Sequence, residues 1–182
     1  MIPAFRLAFL SALLLGFAHS SFAAEKKYAL PEHGYFQMDV PAGWSDQLRE
    51  AGSSLPPTLA FRPSRGQPFE VLVTPLWREG PDAPAFTKDW IRNQVWGAVD
   101  QVKGQSLEQN ISIVEFAGAS GPGYYFTATD RAPKAGEYKY LLQGMVKVSE
   151  LVVTFTILTN AGQEPIAHQA LSMIKSAVHL AK

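Results

Sequence analysis

Cysteine is absent from all 182 residues. That removes disulfide scaffolding, thiol catalysis, iron–sulfur clusters and thiolate zinc sites together. Stability must then come from a buried core. An excess of charge of one sign is also missing, since 16 basic residues face 16 acidic ones. The chain therefore offers neither the basic footprint of a nucleic-acid binder nor a patch for anionic lipid.

Long apolar runs are confined to the beginning. Leu7 to Ala18 is apolar, at about twelve residues the span of a signal h-region. Arg6 precedes it, and Ser21-Phe22-Ala23 follows with small residues flanking a cleavage point after Ala23. A membrane-spanning helix needs roughly 18–20 apolar residues, and His19, Ser20 and Ser21 interrupt too early. The sequence thus predicts a cleaved secretory signal over residues 1–23, export to the periplasm, and one domain over residues 24–182. No cysteine lies at the cleavage site for lipid attachment. Without Arg6 the domain carries one more acid than base.

What is present reads as strands in runs. Gly34 to Val40 alternates apolar and polar residues, and Pro41-Ala42-Gly43 ends it. Ser45 to Ala51 reads as a short helical turn after a leader, Ala24 to Glu32. Thr58 to Pro63 and Phe69 to Trp77 are strands joined by a Ser64 to Gln67 turn. Ala85 to Val102 has helical spacing through Ile91, Val95, Ala98 and Val102. Four more strand-like runs follow: Ile111 to Ala117, Gly123 to Asp130, Tyr138 to Val148 and Leu151 to Thr159. A last helix begins near Glu164 and Pro165, with Ile166, Ala170, Ile174, Ala177 and Ala181 on one stripe. Consecutive strands argue for an antiparallel sheet with helices packed on it.

Gly34-Tyr35-Phe36 through Val40-Pro41-Ala42-Gly43-Trp44 resembles the opening strand of PsbP-like domains. That family is named for an extrinsic protein of photosystem II. Gly123-Tyr124-Tyr125-Phe126 with Glu137-Tyr138-Lys139-Tyr140 is similar to its central hairpin, Leu151 to Thr159 to its next strand, and Ala170 to Ala177 to its closing helix. The likeness extends to bacterial periplasmic proteins of this fold. It implies an α+β fold, an α-β-α sandwich around a mainly antiparallel sheet of about six or seven strands. It further implies an accessory or binding protein, not an enzyme, with no cofactor. The partner expected is a protein or envelope component, with no nucleic acid, no membrane span and a monomeric state.

Chemical motifs are few. His33 is far in sequence from His168 and His179, which lie eleven apart on one predicted helix, about three turns. Ligands on one helix usually sit three or four residues apart, so no metal site is expected. Gly118 to Gly123 leads into a strand, not a helix, and reads as a hairpin turn. Ser120 there lacks the second glycine of a nucleophile elbow.

Asp130 and Glu137 face each other across a loop that also carries Arg131, Lys134 and Lys139. One reading is a screened surface ion pair. The other is a recognition tip of Asp130, Arg131, Lys134 and Glu137 held up by two long strands. Finally, Lys139, Leu141, Gln143, Met145 and Lys147 share one mixed face of a strand. A helix that failed to cover it would leave a groove there for an apolar or amphiphilic ligand. A hydrolase with an unrecognised site is the remaining alternative.

Overall fold

A strand with apolar side chains on both faces belongs where both faces are covered. β9 (Leu151–Thr159) is that strand, and it takes the middle of a seven-stranded sheet. The computed structural model describes residues 23–50, 52, 55–80 and 82–182. The expected signal, apart from Ala23, lies outside them.

The large sheet contains β3 (Trp44–Arg49), β4 (Thr58–Pro63), β5 (Glu70–Leu76), β6 (Val114–Gly118), β7 (Gly121–Thr129), β8 (Tyr140–Val148) and β9. Their spatial order is β3-β4-β5-β9-β8-β7-β6, and every pair is antiparallel. A small sheet, order β1-β2-β10, joins β1 (Ala24–Ala29), β2 (Tyr35–Val40) and β10 (Val178–Leu180).

Two helices complete the layers. α1 (Lys88–Val102) turns Ile91, Val95 and Val99 against Tyr124, Phe126 and Val152 on one face of the large sheet. On the other face, α2 (Glu164–Lys175) and the small sheet share a layer. There Phe36, Met38, Ala170 and Ile174 pack with Phe61, Phe155 and Ile157 in the main core. Each of the larger side chains, Phe, Met or Ile, contributes about 1.5–3 kcal/mol on burial. The α+β sandwich is therefore the architecture, with a three-stranded sheet added to one outer layer.

Several boundaries differ from the sequence reading, each for a physical reason. Ala24 to Ala29, read as a leader, is strand because it pairs along the whole of β2 and buries Tyr28. Trp44 to Arg49 is strand, not a helical turn. Trp44 and Asp46 on one of its faces are half-buried, and Asp46 is held by Lys26 and Tyr28. The last helix stops at Lys175. Ser176 Oγ donates to Met173 O at 2.8 Å and accepts from Asp39 N at 3.0 Å, which turns the chain back to pair with β2. α1 starts at Lys88, not Ala85, because Thr87 caps it by accepting from Trp90 N at 3.1 Å. Pro75 is tolerated inside β5 because β4 pairs with β5 only as far as Val73.

Candidate functional site

The β7–β8 connection forms the end of the molecule that carries the predicted tip. Asp130, Arg131, Lys134 and Glu137 do come together, around a shallow exposed cleft of about 470 Å³. Their roles differ from the expected ones. Asp130 Oδ1 accepts from Ala132 N at 2.9 Å, and Glu137 Oε2 accepts from Lys134 N at 2.8 Å. Both acids therefore shape turns. No ion pair joins them to Arg131, Lys134 or Lys139 among the described residues.

The root of the loop is anchored. Arg131 N donates to Gln105 O at 2.9 Å, Arg131 Nη2 donates to Ser106 O at 2.9 Å, and Ser106 bridges to Asp130. Beyond the root, residues 132–137 are all exposed, with Gly136 in the left-handed region at φ 89°. The tip is a fixed base carrying a solvated crown.

Beside it lies Glu108, which the sequence reading passed over. Its carboxylate accepts from Ser106 Oγ, from Thr129 N at 2.9 Å and from Thr129 Oγ1 at 2.6 Å. Burial pushes this carboxyl up, but the hydrogen bonds from Ser106 and Thr129 outweigh it and hold the pKa at about 2. The sequence shows only the short Ser106-x-Glu108 turn; its second partner, Thr129, is 21 residues away.

Glu108 lines one side of a groove of about 420 Å³. Tyr125, Thr127, Tyr140 and Leu142 form its floor, and Glu164, Ala167, His168 and Leu171 of α2 form the facing wall. The expected groove was to open on the face of Lys139, Leu141, Gln143, Met145 and Lys147. Instead α1 packs onto Leu141 and Met145, leaving there a depression of about 170 Å³ beside Val102 and Leu158. The larger opening is on the opposite face, between the Glu164–Leu171 part of α2 and the β7–β8 strands, while α2 packs on β9, the small sheet and β6.

A second open surface is the face of β3, β4 and β5 that α1 does not reach. It is polar and closed on itself. Glu70 bridges Arg49 at 2.8 Å and Arg62 at 2.6 Å, and Thr58 and Thr74 share a 2.8 Å hydrogen bond. Burial raises Glu70, but the two guanidinium groups more than offset it, so its pKa is lowered.

The histidines divide. His33 and His179, distant in sequence, meet: the His179 Nε2 lies 2.7 Å from His33 O, and the His33 ring stacks on Trp77 at 4.4 Å. His168 stands alone on the groove wall. No group of three metal-ligating side chains occurs among the described residues.

No protein-family model and no curated protein matches the chain. The solution structure of cyanobacterial PsbP (CyanoP) from Synechocystis sp. PCC 6803 superposes with a TM-score of 0.53 at 13% identity. The match covers 92% of this chain and 99% of that one. The fold is PsbP-like, as the short motifs around Val40-Pro41-Ala42-Gly43-Trp44 and Gly123-Tyr124-Tyr125-Phe126 implied.

Proposed function

We propose that this protein is an exported, monomeric, non-catalytic accessory protein of the periplasm. It binds a protein or envelope component through the hairpin end of the domain. The observation that carries this reading is the arrangement of that end. The Asp130–Glu137 loop has an anchored root and an exposed crown, and the groove opens directly beside it. Loops raised on a rigid scaffold commonly carry recognition.

Asp46, Glu70 and Glu108 are each shifted downward and bonded to structural partners. A general acid or base needs a pKa near the working pH. Capture from envelope extract tests the reading: a specific partner retained on the purified protein is expected, and no partner above background contradicts it.

The groove favours a second reading, a carrier of a small apolar or amphiphilic ligand. Its volume of about 420 Å³ falls in the range of small-molecule sites. Native mass spectrometry would then show a co-purified molecule, and a clean apo mass would rule this reading out.

A further inference from the structure

We propose that the groove between α2 and the β7–β8 strands binds a cationic amphiphile, an organic amine with an apolar body. This deepens the ligand-carrier reading and rests on it. Tyr125, Tyr140 and Leu142 below and Ala167 and Leu171 beside offer apolar contact for the body. Among the described residues, the ionisable acids and bases lining the groove are two carboxylates, Glu108 and Glu164, and the imidazole of His168, with neither lysine nor arginine.

Both carboxylates are available to a cation. The Glu164 side chain makes no hydrogen bond or ion pair among the described residues. Glu108 is fixed by Ser106 and Thr129, yet both are neutral donors, so its charge is uncompensated. Its lowered pKa of about 2 keeps it ionised throughout the physiological range. Lys139 Nζ stands 5.7 Å from the Tyr140 ring centroid but does not line the groove. An anionic amphiphile would face two carboxylates against the single imidazole of His168, with no lysine or arginine lining the groove.

Isothermal titration of the protein, purified as its host produces it, tests this with three probes sharing a phenylbutyl body. These are phenylbutylamine, phenylbutanol and phenylbutyrate. The amine should bind about tenfold more tightly than the carboxylate, from two ion pairs gained against two repulsions. Glu164→Gln should weaken the amine about three- to fivefold, the worth of one exposed pair, and leave the alcohol unchanged. Glu164 is exposed and needs no partner to fold, so this variant isolates the charge. Equal binding of amine and alcohol would overturn the selectivity while leaving the carrier reading standing. No binding by any probe, or amine binding undiminished when Thr127→Trp fills the floor, would overturn both.

Discussion

Tyr28 donates a 3.0 Å hydrogen bond to Asp46, and this joins β1 of the small sheet to β3 at the edge of the large one. Lys26 binds the other carboxylate oxygen. Burial and the nearby Asp46 charge raise the Tyr28 pKa. Asp46 itself is pushed up by burial but lowered overall by the Lys26 and Tyr28 hydrogen bonds.

The first prediction concerns that pin. Tyr28→Phe removes one donor and should cost about 1 kcal/mol in urea denaturation at neutral pH. Asp46→Ala should cost more, about 2–3 kcal/mol, since it leaves Lys26 and Tyr28 without their acceptor. The Asp46 pKa is depressed in the fold, so its stabilisation is present above the ordinary aspartate pKa. It is lost as pH falls through the folded value, below about pH 4. Equal stability of wild type and Asp46→Ala at neutral pH would contradict the pin.

Glu108→Gln should destabilise by about 1–2 kcal/mol at neutral pH, because charged hydrogen bonds to Thr129 and Ser106 become weaker neutral ones. With a folded pKa of about 2, the advantage of the acid is fully present above the usual glutamate pKa and fades as pH falls from there through the folded value. Denaturation of wild type and variant at neutral and at acid pH should therefore converge on acidification. A gap that widens instead would show that the bonds are not made to the ionised form.

Gly34 sits at φ 74°, where a Cβ would lie 2.1 Å from Leu180 O. Gly34→Ala must strain the turn and push β10 off β2, at a cost of about 1–3 kcal/mol. Amide exchange at Val178–Leu180 should accelerate more than in β9. Unchanged protection there would mean that β10 is not held by this close approach.

Lys134→Ala should leave stability within about 0.5 kcal/mol, since the side chain is exposed and has no partner among the described residues. Glu137→Ala should loosen the turn by removing the acceptor for Lys134 N. Thermal melts and loop amide exchange separate the two. Loss of stability in Lys134→Ala would place that lysine in the fold and not at a binding surface.

These relationships also mark where sequence reading stops. Leu151 to Thr159 was legible to the residue because apolar side chains on both faces demand cover on both. Residues 44–49 were not, because the acid that faces inward has partners on another strand, Lys26 and Tyr28, invisible at short range. The helical stripe through Ile166, Ala170 and Ile174 runs on to Ala177 in sequence. The chain leaves it because Ser176 bonds Asp39, 137 residues away. Asp130, Arg131, Lys134 and Glu137 were brought together as expected, since a hairpin is local. The groove opened on the other face because the seat of α2 depends on the small sheet, whose outer strands, β1 and β10, carry no clear strand pattern.

Site-specific photo-crosslinking in envelope extract tests the central claim most directly, with a photoreactive residue at position 134 on the hairpin tip or at position 47 on the polar sheet face. A discrete adduct from position 134 and none from position 47 is the predicted result. Adducts from position 47 with none from position 134 would contradict the hairpin end as the binding surface.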